Sequence, residues 1–175
     1  MPQYVSEEDR EVSAISPGVL GTTGIETQEI LKGIVENVKP KLIIVIDSLA
    51  SKSLERISSS VQISDTGIIP GAGVGNKRKE LSKETLGVPV IAIGIPTVVD
   101  AATITNDCLD LFIEKLQNEA KSNEYLNQLR EEDNYQEIKD TLLPKNFNLI
   151  VTPKEIDELI LNMTEVIAMG INKSL

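Results

Sequence analysis

KLIIVIDSLA, residues 41–50, decides the fold class. Five consecutive apolar residues, Leu42 to Ile46, are too short for a buried helix and too continuous for a strand with one wet face. Such a run reads as a buried parallel strand, and it ends at Asp47. Upstream, Ile30, Leu31, Ile34, Val35 and Val38 recur at helical spacing. Thr23 and Glu26 are spaced as a capping box before that helix, and Lys39-Pro40 closes it. Downstream, VQIS (61–64) predicts a short strand, and a second apolar run extends from Val88 to Val99, broken by Pro89, Gly94 and Pro96. Its first half predicts another buried strand, with Gly94-Ile95-Pro96 as a bend near the sheet edge.

The rest of the chain alternates in the same way. Asp100 is placed to cap a helix beginning AATITNDCLDLFIEKL, whose Ile104, Leu109, Leu111, Phe112 and Leu116 form an apolar face, with Cys108 near it as a packed core thiol. Residues 117–140 turn polar and acidic and read as a solvated helical excursion. Leu149 to Val151 predicts a strand. Thr152, Pro153 and Glu155 then supply an N-cap, a first-turn proline and a capping-box acid for a helix carrying Ile156, Leu159, Ile160, Met163 and Ile167 on one face. Its methionines read as core filler. The expectation is a single α/β domain over residues 1–175 with a mostly parallel sheet.

Composition narrows the chemistry. The 175 residues carry a formal charge of −10, which argues against direct attraction to nucleic acid or an anionic membrane. Apolar residues are 41% and aromatics 3%, so the core is aliphatic and ring stacking on bases is poorly supplied. With no histidine, neither a Ser-His-Asp nor a Cys-His arrangement can form within these residues, nor can a histidine metal site. A single cysteine excludes an internal disulfide and fits a reducing compartment. No secretory signal and no apolar stretch of about 20 residues is present, so the expected location is the cytoplasm. Neither cofactor nor metal is expected.

Two groups of residues are candidates for function. Asp47 stands at the predicted carboxyl edge of the sheet, where open α/β folds keep their sites; alternatively it caps the following SLASKSLERI helix or turn. Asp65 and Asp100 are possible supporting acids, against plain roles as an Asx-turn and a helix cap. The second group is IIPGAGVGNKRKEL (68–81), where Gly71, Gly73 and Gly75 alternate before Asn76, Lys77 and Arg78. Amides and cations there could converge on an anion. The run matches neither the P-loop nor the dinucleotide template, and its glycines could equally form a plain loop.

Five blocks carry a resemblance: SPGVLGTTGIET, IDSLASKSLERI, QISDTGIIPGAGVGNKRKEL, ETLGVPVIAIGIPTVVDAATIT and LIVTPKEID. In this order they resemble the germination protease (GPR endopeptidase) family of spore-forming bacteria, across most of the chain outside the acidic segment. The resemblance implies a cytoplasmic endopeptidase, in the spore core or forespore, acting on small acid-soluble spore proteins. It further implies an atypical aspartic mechanism with two aspartates, a zymogen, a homotetramer and a three-layer α/β/α fold similar to hydrogenase maturation proteases and phosphorylases. Asp47 matches one family aspartate. The other lies in an upstream half with no counterpart here, so the sequence looks like the C-terminal part of the enzyme and is expected to be inactive alone. On position, the 71–78 loop would contact an acidic substrate or a partner subunit. Two other readings stay open: a phosphate- or nucleoside-binding α/β/α protein, and a non-catalytic assembly or substrate-binding module.

Overall fold

A computed structural model describes residues 10–57, 59–76, 78–119, 140 and 149–174. The predicted acidic excursion lies largely outside the described residues. A four-residue helix α1 (Leu20–Thr23) precedes α2 (Thr27–Val38), and the chain then enters β1 (Ile43–Ser51). Strand β2 (Gln62–Ser64), the short helix α3 (Lys83–Leu86) and strand β3 (Val90–Asp100) follow. Helix α4 (Ala101–Glu119), strand β4 (Ile150–Val151) and helix α5 (Ile156–Ser174) complete the described elements.

The sheet is mixed. Its longest ladder pairs β1 with β3 in parallel, from Ile43 opposite Val90 to Ser51 opposite Val99. The two shorter ladders, β2 on β3 and β4 on β3, are antiparallel, so β3 is central and β1 lies at the edge of the described sheet. That position corrects the expectation of a fully buried first strand: Ile46 is 51% exposed. The main core lies where α2 and α3 meet the sheet, with Leu31, Leu81, Leu86 and Val90 buried together and Ile43, Val45 and Ile34 packed around them.

β3 also departs from expectation, because no bend forms at Gly94-Ile95-Pro96 and the strand runs unbroken for 11 residues. Two features accommodate the breakers. A Cβ at Gly94 would overlap the Leu49 side chain, 2.7 Å from its Cγ, so glycine lets β1 and β3 pack closely. Pro96 falls between Gly94, where the β2 ladder begins, and Val99, where β4 takes over, so its missing N–H faces a stretch without a ladder partner. The register then slips: Leu49 opposes Pro96 but Ala50 opposes Val98, leaving Thr97 as a bulge. Thr152 Oγ1 donates to the Thr97 carbonyl at 3.0 Å. This hydroxyl was expected to cap α5; the bulge takes it instead, because an extra residue leaves backbone groups that need a partner.

The N-terminal capping expectation is corrected as well. α2 begins at Thr27 with Glu26 before it and no side-chain cap, while Thr23 Oγ1 bonds to Val19 and Ile25 carbonyls. A capping box does form at Ser82 and Thr85, heading α3. The residue three positions after the cap is threonine, not Glu or Gln, which hid the box from the sequence pattern. On α4 the buried positions are Ala102, Thr103 and Ile113, while Leu111 and Phe112 are 67% and 59% exposed. Cys108 is exposed, so the expected packed thiol is overturned. The start of α4 thus turns a small and a polar residue inward, not the larger apolar side chains that the spacing suggested.

Candidate functional site

β1 does not stop at the carboxylate. Asp47 is the fifth of nine strand residues, opposite Gly94, and Ser48 to Ser51 continue the ladder. It therefore caps no turn. The turn that follows, a 3₁₀ segment at Leu54–Arg56, is held by other groups. Ser51 Oγ donates to the Ser53 carbonyl at 2.5 Å, and Asp107 Oδ2 on α4 accepts the Leu54 N–H at 3.0 Å. Asp107 went unremarked in the sequence because its partner lies 53 residues away.

Alternation along β1 places the carboxylate at the open edge. The Ile43 N–H donates to the Pro89 carbonyl at 3.0 Å, so the backbone groups of Ile43, Val45, Asp47 and Leu49 point toward β3. Those of Ile44, Ile46 and Ser48 point the other way. Asp47 Oδ1 accepts the Ser48 N–H at 2.9 Å, so its carboxylate hangs over that outward edge. Beside it is a cleft of about 260 Å³ lined by Ile46, Ser48, Ile95 and Thr97 from the strands and by Leu159, Ile160, Met163 and Thr164 from α5. Met163, read from the sequence as core filler, is partly buried and lines this cleft.

Partial burial pushes the Asp47 carboxyl above its ordinary value, because removing water disfavours the charged form; the Ser48 N–H opposes the rise. Among the described residues no other carboxylate contributes to that shift. Asp65 is exposed on a turn whose bonds come from its neighbours: Ser64 Oγ meets Thr66 Oγ1 at 2.7 Å and accepts the Thr66 N–H at 3.2 Å. Asp100 ends β3, and its Oδ1 accepts the Ala102 N–H at 2.8 Å, as a helix cap would. Among the described residues no group of three His, Cys, Asp or Glu side chains is placed to hold a metal ion.

The glycine loop is a closed knuckle. Ile68 and Leu81 exchange backbone bonds at 3.0 and 2.8 Å and pinch its base. Gly71 and Gly75, at φ 73° and 75°, flank a single 3₁₀ turn, Ala72–Val74. A Cβ at Gly71 would overlap the Asn76 carbonyl, and one at Gly73 would sit 2.8 Å from the Ala50 Cβ of β1. The amides of Ala72, Val74, Gly75, Asn76 and Arg78 all donate to carbonyls at Ile69 to Ala72, so they are directed inward and away from any anion. The basic residues that follow are paired with α2: Lys79 Nζ meets Glu29 Oε1 at 2.6 Å and Arg78 approaches Glu26 at 4.0 Å. The hydrogen bond and charge of Lys79 hold Glu29 below the usual carboxylate range, and Glu29 raises Lys79 in return. Lys77 lies outside the described residues. The geometry thus gives the loop a structural role at α2 and β1, and withdraws support from the phosphate-binding reading. Among the described residues no helix is long and apolar enough to cross a membrane.

Comparison with known proteins agrees with the five sequence blocks. The germination protease family model matches residues 1–128 and 125–175, and the two matches meet inside the acidic segment. The germination protease of Caldanaerobacter subterraneus subsp. tengcongensis is 52% identical over 178 residues, covering 99% of this chain and 55% of the relative. That of Clostridium perfringens strain SM101 is 50% identical over 179 residues, covering 100% of this chain and 55% of the relative. That of Halalkalibacterium halodurans is 45% identical over 209 residues, covering 99% and 56% respectively. The chain spans about half the length of these relatives. By the match of the family model along its whole length, this chain belongs to the germination protease family.

Proposed function

We propose that a family-length protein carrying this sequence is an endopeptidase that cleaves small acid-soluble spore proteins during germination, with Asp47 as one of two catalytic carboxylates. The observation that carries the reading is the state of Asp47: a half-buried acid, raised by desolvation, at the mouth of a cleft on an open strand edge. Hydrolysis of a peptide bond needs one group to take a proton from the attacking water and another to give a proton to the leaving amine. Paired carboxylates divide these tasks, since their mutual repulsion keeps one protonated. A lone carboxyl cannot be both at the same moment. With Asp100 bonded at the start of α4 and Asp65 on an exposed turn, neither is assigned as the second acid.

These 175 residues alone are therefore expected to be inactive, and activity to require a second carboxylate from the remainder of a family-length protein. The family resemblance extends the proposal to a cytoplasmic zymogen that assembles as a homotetramer with a three-layer α/β/α architecture. The core between α2 and the sheet, together with α5 beside Ile46 and Ile95, supports the layered arrangement. The test is Asp47→Asn in a family-length protein carrying this sequence, assayed on a purified small acid-soluble spore protein by mass spectrometry of the products. Loss of about 10²-fold or more in rate is expected, the scale of general acid–base catalysis. Cleavage at the original rate by a correctly folded variant rejects Asp47 as a catalytic group.

A further inference from the structure

Among the described residues, three with side-chain hydroxyls line the cleft beside Asp47, and they differ in what satisfies them. Thr164 Oγ1 donates to the Ile160 carbonyl at 2.8 Å within its own helix. Ser48 is exposed, so water serves it. Thr97 is only 8% exposed, and no described residue bonds to its hydroxyl; the Thr152 contact is to its backbone carbonyl. A buried hydroxyl without a partner costs stability, and folded chains ordinarily pair such groups. Two features hold this side chain at the cleft. Ile95 and Thr97, two positions apart on β3, both line it, so they share the face that looks toward α5. The bulge at Thr97, tied through its carbonyl to Thr152, sets the local direction of the chain, as bulges do beside binding sites.

Asp47 opposes Gly94, and Thr97 lies three residues farther along β3, a rise of about 10 Å at roughly 3.3 Å per residue. An extended peptide with its scissile bond at Asp47 covers that distance in about two or three residues. We infer that Thr97 is a substrate-binding residue of the protease site, its hydroxyl hydrogen-bonding a backbone group of the bound peptide about two or three residues from the scissile bond. The surrounding wall is largely apolar, with Ile46, Ile95, Leu159 and Ile160 in it, so one fixed hydroxyl sets the position of the peptide along the cleft. Threonine is stiff about χ1, so little side-chain entropy is lost when the hydroxyl finds its partner. The inference rests on the protease reading and adds a named contact to it.

The test is steady-state cleavage, by a family-length protein carrying this sequence, of a peptide from a small acid-soluble spore protein and of versions with one backbone amide replaced by an ester. Thr97→Val keeps the side-chain shape and deletes the hydroxyl. It is expected to lower kcat/KM about 10-fold through KM, with kcat nearly unchanged, because the lost contact is remote from the bond that breaks. Thr97→Ser, which keeps the hydroxyl, should stay within about 3-fold of the parent protein. An ester two or three residues from the scissile bond should cost the parent about as much as Thr97→Val does, and cost Thr97→Val little more. Since the hydroxyl has no partner in the free protein, Thr97→Val should leave the urea midpoint unchanged or raised. Unchanged kcat/KM in Thr97→Val, an equal loss in Thr97→Ser, or ester penalties that persist in full in Thr97→Val overturn the inference while the protease reading stands. A lowered urea midpoint in Thr97→Val sets the hydroxyl against the protein instead of the substrate, and likewise overturns it. A parent protein that cleaves none of these peptides refutes the protease reading, and this contact with it.

Discussion

Gly94→Ala probes the contact that brings β1 and β3 together opposite Asp47. An alanine Cβ there would lie 2.7 Å from Leu49 Cγ and 3.2 Å from Cδ2. Carbon atoms rest at roughly 3.5–4.0 Å, so Leu49 must leave its rotamer or the strands must part by close to an ångström. Overpacking of this kind costs about 1–3 kcal/mol. Glycine-to-alanine replacement returns about 0.4–1 kcal/mol through the less flexible unfolded chain. A net loss of about 1–2 kcal/mol is expected, or a few degrees in melting temperature for a domain of this size. The assay is urea unfolding followed by circular dichroism, in a cycle with Leu49→Ala. Truncating Leu49 removes the atoms the new Cβ would strike, so the cost of Gly94→Ala should shrink by about 1 kcal/mol or more in that background. An undiminished penalty in the Leu49→Ala background refutes the steric argument. A stabilised single variant would show that Gly94 is no close-contact position at all.

Three further outcomes follow from named groups. Burial raises the folded pKa of Asp47 above its ordinary 3.8, so between those two values the folded state binds more protons than the unfolded state. Stability from this group is accordingly highest at acid pH and falls as pH rises through that window. Asp47→Asn should therefore stabilise the 175-residue chain at pH 7 and lose that advantage near pH 3; a pH-independent difference in melting temperature rejects the desolvation argument. Gln28 is buried, and its Nε2 donates to the Glu80 carbonyl at 2.7 Å, tying α2 to the segment returning from the knuckle. Gln28→Leu is expected to lose only about 0.5–1.5 kcal/mol, the worth of one hydrogen bond, because the Glu80 carbonyl keeps the Thr85 hydroxyl at 2.9 Å, whereas Lys79→Met, which breaks an exposed pair, should leave urea midpoints nearly unchanged.

Much of the architecture was legible because it is written in local periodicity. The helical spacing of Ile30, Leu31, Ile34 and Val35 and the continuous run from Leu42 to Ile46 each identify an element without reference to the rest of the chain. Asp100 as a cap was legible for the same reason, since its bond reaches only two residues onward. Misreadings concentrate where a distant partner competes for a group. Thr152 had the spacing of a cap, but the Thr97 carbonyl, 55 residues away, took its hydroxyl. Leu111 and Phe112 fit an apolar face, yet the residues α4 buries are Ala102, Thr103 and Ile113. The glycines at 71, 73 and 75 advertised backbone freedom; that their neighbours' amides turn inward depends on the Ile68–Leu81 closure and the Ala50 contact.

By itself, the order of residues determined the α/β class, the approximate places of the longer strands and helices, and the isolation of Asp47 as the single charged residue in the first strand. Only the tertiary structure decided that this strand continues through Asp47 to Ser51, that it occupies an edge, and that its carboxylate overhangs the unpaired side next to α5. The reason is physical: side-chain pattern along a segment reflects that segment's own geometry, whereas pairing, register and exposure depend on which remote backbone satisfies its hydrogen bonds.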